Sequence, residues 1–253
     1  MPFIAVRGHR LEYEQIAGTR AGAPTLVFLH EGLGSLSLWK EFPADLAAAT
    51  GAAALVYSRY GYGNSDPIAA RRDVDYMHTE ALESLPELLG ALGIANPILI
   101  GHSDGASIAL IHAGTGRWPV RALVLEAPHV FVEDLTVESI EAAREVYRST
   151  DLKQRLARYH ADPDNAFWGW NDIWLDPAFR RWNIEASLPG VTCPVLAIQG
   201  ADDEYGTLAQ LDAIERGLRG PFERLVLAQC KHSPHRDQPR ATLEAMAQFI
   251  ARV

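Results

Sequence analysis

The segment Ile98-Leu99-Ile100-Gly101-His102-Ser103-Asp104-Gly105-Ala106-Ser107-Ile108-Ala109-Leu110 decides the reading of this chain. It has the form of an apolar strand, a Gly-x-Ser-x-Gly turn and a helix rich in small residues. A strand apolar on both faces is buried on both faces, as in a parallel sheet covered by helices. Such a strand delivers Ser103 to the carboxyl end of the sheet, where open α/β folds place their sites. The turn is tight enough to hold its serine in a strained backbone, with Gly101 and Gly105 placed where side chains would collide with neighbouring elements. The helix that follows points its amino end at the serine and favours negative charge there.

Working outward, the same rhythm recurs. Leu26–Leu29, Leu55–Tyr57, Leu123–Leu125, Val195–Ile198 and Leu225–Leu227 are short apolar runs. Between them, Leu38–Ala49, Thr79–Leu92, Leu208–Leu218 and Thr242–Val253 carry apolar residues at helical spacing. Pro86 implies a kink or a shifted start in the second of these, and Gly93 closes it. Phe3–Arg7 and Leu11–Ile16 read as a hairpin about Gly8-His9. The fold class is α/β: an open, mostly parallel sheet with helices on both sides.

One stretch breaks the alternation. Residues 135–188 hold no strand-like run and read as helices at Val137–Ser149, Leu152–His160 and near Pro177–Ser187, inserted between two sheet strands. Residues 1–134 and 189–253 then form the core. The insertion carries Trp168, Trp170, Trp174 and Trp182, four of the chain's six tryptophans. They form either a small satellite core or the aromatic inner face of a lid, with Trp168, Trp170 and Trp174 as candidate substrate contacts.

Composition excludes several classes. The 253 residues are 48% hydrophobic and 22% charged, as in globular proteins. No apolar run approaches the roughly 18 residues of a membrane span, and no signal peptide is visible at the start. A net charge of −9 disfavours nucleic acid and anionic lipid as partners. The two cysteines, Cys193 and Cys230, are too few for a disulfide scaffold and are read as reduced, in a cytoplasmic protein.

A serine hydroxyl needs a base to become a nucleophile. Of nine histidines, His232 lies just beyond the last strand, where a loop can carry its imidazole over Ser103. His235, three residues on, is the rival. The base in turn needs an acid to orient it. Asp202, Asp203 and Glu204 follow the penultimate strand, whose end neighbours the last, and Glu126 at the end of Leu123–Leu125 is a second possibility. After the first parallel strand, Leu29-His30-Glu31-Gly32-Leu33-Gly34 supplies a flexible backbone whose N–H at Gly32 or Leu33 pairs with that of Asp104 as an oxyanion hole. Each such donor is worth about 3–4 kcal/mol in the transition state. His30 is expected to fix this loop by hydrogen bonds.

With these residues assembled, the sequence resembles the α/β-hydrolase superfamily over essentially its whole length. Ser103, Asp203 and His232 follow that family's serine–acid–histidine order, and Asp203 stands three residues after the strand-end Gly200, as the family's acid usually does. The segment Ser58-Arg59-Tyr60-Gly61-Tyr62-Gly63-Asn64-Ser65 and the closing loop Cys230–Pro239 also look like family segments. The resemblance implies an eight-stranded sheet, an acyl-enzyme route to hydrolysis of a small ester, no metal and no cofactor. It leaves thioesters, lactones and carbon–carbon bonds open as substrates, and a non-catalytic small-molecule binder as a different class. One departure is Glu31, where many members have glycine after the histidine: it either turns away to solvent or a lid partner, or lies near the serine as a further candidate substrate contact, orienting a polar substrate group or a water. With Asp104 it places two acids near the site, which would disfavour carboxylate-bearing substrates unless lid arginines offset them.

Overall fold

A computed structural model describes all 253 residues. Eight strands, β1 (Phe3–Val6), β2 (His9–Ile16), β3 (Leu26–Leu29), β4 (Ala54–Tyr57), β5 (Ile98–His102), β6 (Ala122–Glu126), β7 (Val195–Gly200) and β8 (Phe222–Leu227), form one sheet in the order β1-β2-β4-β3-β5-β6-β7-β8. β1 and β2 run antiparallel and β3 to β8 are parallel. The helices are α1 (Phe42–Thr50), α2 (Tyr76–Thr79), α3 (Leu85–Ala91), α4 (Asp104–Gly114), α5 (Asp134–Ser149), α6 (Leu152–Leu156), α7 (Pro163–Trp174), α8 (Ala209–Gly217), α9 (Pro234–Asp237) and α10 (Pro239–Ile250).

The central strands are buried along their whole length, and their side chains alternate between two cores. Leu99, Leu123 and Leu125 join α4 and α8 on one face, while Ile98, Ile100 and Val124 join α1 and α10 on the other. Each fully buried aliphatic side chain contributes about 1.5–3 kcal/mol. The strand order reverses at β3: the chain leaves it toward β4 on one side, and β5 pairs on the other. A reversal of this kind opens a crevice at the carboxyl ends of the two strands. The loops after β3 and β5 both enter that crevice.

Several helices differ from their expected limits. Leu38–Ala49 is split into a 3₁₀ turn (Leu36–Trp39) and α1, because Lys40 turns into positive φ (54°) and Pro43 fits only a first helical turn. The second helix starts earlier, at Tyr76, and widens into a π turn at Glu80–Ser84 before α3. Pro86, lacking an N–H, cannot continue an α-helical ladder there and sits in the first turn of α3. α6 ends at Leu156, so Tyr159 lies in a turn and His160 in the irregular backbone after it. The third inserted helix is displaced: Pro177–Ser187 forms short 3₁₀ turns (Phe179–Arg181 and Glu185–Gly190), and the helix bearing three tryptophans is α7. Its start was legible as Asp162-Pro163, since the Asp162 carboxylate accepts from the N–H of Asn165 at 2.9 Å and proline suits the first helical position. No helix is long and apolar enough to cross a membrane.

Candidate active site

Ser103 sits between β5 and α4 with φ 52° and ψ −116°, a conformation that costs an ordinary residue of order 1–3 kcal/mol. Two glycines make the turn possible. A Cβ on Gly101 would run into the carbonyl of Gly105, and one on Gly105 into that of Leu29. The turn is tied to β6 by the Ser103 N–H, which donates to the Glu126 carbonyl at 2.9 Å.

The loop after β8 brings His232 to this serine. Ser103 Oγ and His232 Nε2 are 2.9 Å apart, and His232 Nδ1 donates to Asp203 Oδ1 at 2.8 Å. Asp203 also accepts from the N–H of Tyr205 at 2.8 Å and from Gln199 Nε2 at 3.1 Å. Burial opposes its ionisation, but the adjacent His232 and these donors hold its carboxyl below the usual range. Asp202 takes no part in this chain of bonds. Neither do the two rivals: Glu126 accepts from both the N–H and Nδ1 of His235, at 2.8 and 2.9 Å, so these form a separate buried pair.

His102 bridges the histidine loop and the loop after β3. Its Nε2 donates to the His232 carbonyl at 2.7 Å, and its Nδ1 stands 3.3 Å from Glu31 Oε2 as an ion pair without an aligned hydrogen bond. Burial disfavours the imidazolium, yet the Glu31 carboxylate raises His102 to about 9. Burial likewise resists charge on Glu31, and His102 overrides it, lowering the carboxyl well below its usual value. Glu31 is thus matched by a histidine and not by a lid arginine.

The amides of Gly32, Leu33 and Asp104 donate to no acceptor in the protein. The loop bearing the first two is fixed from behind. His30 Nδ1 donates to the Glu31 carbonyl at 2.7 Å, and His30 Nε2 accepts from the N–H of Arg59 at 3.0 Å, an arrangement that requires a neutral ring. Burial and the nearby Arg59 keep that ring neutral by lowering its pKa. Arg59, itself buried, donates from Nη2 to the carbonyls of His30 and Glu31 at 3.2 and 3.0 Å. Its guanidinium also lies 3.6 Å from the Asp104 carboxylate, which accepts from Tyr76 Oη at 2.8 Å and Trp174 Nε1 at 3.3 Å. Asp104 therefore turns into the core, compensated, and presents no second acid to the site.

A cavity of about 120 Å³ opens at Ser103 and His232. Glu31, Gly32 and Leu33 form one wall, and Trp170, Trp174 and Ile140 reach over from the inserted helices. Trp168 is elsewhere: it packs edge-on against Tyr147 and Phe167 and lines an outer groove with Arg72. Helical geometry explains the difference. Residues four apart share a face, as Trp170 and Trp174 do, whereas a residue two positions away points roughly opposite.

Four cavity residues were not foreseen: His129, Thr136, Ile140 and Tyr205. His129 is nearly buried, its ring centroid is 5.6 Å from that of His232, and its Nδ1 has no partner. Burial, reinforced by His232, lowers it to about 3, so it is neutral. A signal existed: His129 stands three residues past the end of β6, on the carboxyl side of the sheet.

The chain is similar to known proteins along most of its length. The sequence model of the alpha/beta hydrolase family matches residues 26–245. A 2-succinyl-6-hydroxy-2,4-cyclohexadiene-1-carboxylate synthase of Klebsiella pneumoniae (strain 342) is 28% identical, over 92% of this chain and 96% of its own. The serine hydrolase BPHL of Homo sapiens is 24% identical, over 92% of this chain and 80% of its own. The proline iminopeptidase of Mycobacterium smegmatis superposes with a TM-score of 0.81 at 19% identity, covering 99% of this chain and 97% of that one. The family match spans most of the sequence and includes the serine turn, the acid loop and the histidine loop, so the chain belongs to the alpha/beta hydrolase family.

Proposed function

We propose that this hydrolase cleaves a small carboxylic ester or thioester through an acyl-enzyme. The observation that carries the reading is the continuous chain of bonds from Ser103 Oγ through His232 to Asp203. Ser103 attacks the acyl carbon while His232 Nε2 takes its proton. Asp203 fixes the tautomer in which Nε2 is free to accept, and stabilises the imidazolium that forms. The amides of Asp104 and of Gly32 or Leu33 receive the oxyanion. His232 passes its proton to the leaving group, then activates water to release the acid.

The acyl cavity sets the size of the substrate. A closed apolar cavity of about 150 Å³ takes up benzene, so the space here suits an acyl group of only a few carbons. His129 adds a neutral ring to the wall around that group. Residues 135–188 act as the lid, with Trp170 and Trp174 as its inner face and Trp168 outside. The two free thiols, Cys193 and Cys230, suit a reducing compartment such as the cytoplasm.

Rapid mixing with excess 4-nitrophenyl acetate tests the route. An acyl-enzyme that forms faster than it hydrolyses releases a burst of one nitrophenolate per chain, and Ser103→Ala lowers kcat by about 10⁶-fold. Unchanged turnover in Ser103→Ala overturns the reading.

A further inference from the structure

A second hollow, of about 330 Å³, lies beside the acyl cavity and shares the walls Glu31 and Leu33 with it. Its other sides come from α6 with the turn after it, and from the histidine loop. Arg155, Arg158 and Arg236 line it, together with the ring of Tyr159. Lys40 adds a cation behind that ring, with Nζ 2.8 Å from the Tyr159 hydroxyl and 4.2 Å from the ring centroid. Lys40, Arg158 and Arg236 jointly pull the Tyr159 hydroxyl below its usual pKa.

The charge balance of this hollow is unlike that of the whole chain, whose net charge is −9. Arg155 is occupied by Asp151 at 3.2 Å, but Arg158, Arg236 and Lys40 have no carboxylate partner. The only acid in the walls is Glu31, which His102 neutralises. The two unpaired arginine forks, Arg158 and Arg236, beside one space match a multivalent oxyanion, phosphate above all.

Position assigns the hollow a part in the reaction. The leaving group must collect its proton from His232 Nε2 and so departs on the histidine side. Arg236 lies four residues beyond His232, on α9. We infer that the hollow binds a phosphate carried by the leaving alcohol or thiol, so that the substrate is an acyl ester or thioester of a small phosphorylated carrier. This assignment rests on the serine hydrolase reading above. The bond from Ser103 Oγ to the acyl carbon forms and the carbon–oxygen or carbon–sulfur bond breaks. The leaving atom keeps the electron pair and receives the proton that Ser103 gave to His232.

Calorimetry on the wild-type chain tests the pocket without turnover, using phosphopantetheine against pantetheine and glycerophosphate against glycerol. At least one phosphorylated member of the two pairs should bind about 10-fold or more tightly than its unphosphorylated partner. The thiol pair showing the effect marks a thioester substrate, and the alcohol pair an oxygen ester. The advantage should vanish in Arg158→Gln/Arg236→Gln and shrink toward unity near 0.5 M salt, where charges are screened within about 4 Å. Equal affinity within both pairs overturns the proposal, as does an advantage that survives in the double variant. Loss of the pocket alone leaves nitrophenyl acetate turnover intact in the wild type. Failure of the hydrolase reading instead abolishes that turnover while phosphate binding remains.

Discussion

His102 Nε2 holds the backbone carbonyl of His232 at 2.7 Å, so the residue before Ser103 in sequence anchors the loop that carries His232. The other side of the same ring faces Glu31. Three segments distant in sequence, the loops after β3, β5 and β8, are thereby locked together behind the site.

That lock has a pH signature. His102 is raised from 6.5 to about 9 by Glu31, against the pull of burial. A histidine raised on folding gives stability that is complete below its unfolded value and is lost as pH rises through its folded value. The thermal midpoint should therefore fall between about pH 6.5 and 9, and Glu31→Gln should flatten that decline. A calorimetric series across this range checks it; an equal slope in both proteins contradicts the pairing.

Trp170 and Trp174 wall the acyl cavity, whereas Trp168 packs outside it. Trp170→Ala should move the optimum of a nitrophenyl ester series toward longer acyl chains, because it enlarges the space beside Gly32. Trp168→Ala should leave the optimum where it is, with a loss of stability of about 1–3 kcal/mol for a half-buried aromatic. The chain-length profile of kcat/KM separates the two.

His129 lines the cavity, and its buried Nδ1 has no partner. His129→Leu should lower kcat/KM by about 10–100-fold for acyl groups bearing a hydroxyl or keto oxygen. It should change that of the unsubstituted acyl chain by no more than about 3-fold. Equal losses for both would mean that the ring serves packing alone. Asn in its place should restore part of the difference.

Asp203, and not Asp202, bonds His232. Asp203→Asn should lower kcat by about 10⁴-fold by stabilising the wrong imidazole tautomer. Asp202→Asn should stay within about 2-fold of the wild type, since exposed surface changes far from special features shift energies by only about 0.5 kcal/mol. Steady-state kinetics on one ester decides between the neighbouring acids.

Much of this was legible in the sequence because the signals are local. The continuous apolar runs are strands that need both faces covered, and Gly101 and Gly105 are required by backbone contacts that no side chain could tolerate. Strand ends then placed Ser103, Asp203 and His232 on one edge. The less legible parts depend on distant partners. Which of Trp168 and Trp170 faces inward hung on the start of α7, set by the Asp162-Pro163 cap. The charge of Glu31 met His102, and that of Asp104 met Arg59 from the end of β4, pairings between segments that no periodicity relates.

The proposed reaction requires Ser103 to be an activated nucleophile. Incubation with a fluorophosphonate, followed by intact-mass and peptide analysis, measures this directly. We expect a single adduct on Ser103, lost in Ser103→Ala and greatly slowed in His232→Ala. An unlabelled wild-type protein that still binds a small ligand tightly would contradict the account and indicate a binding protein built on the same fold.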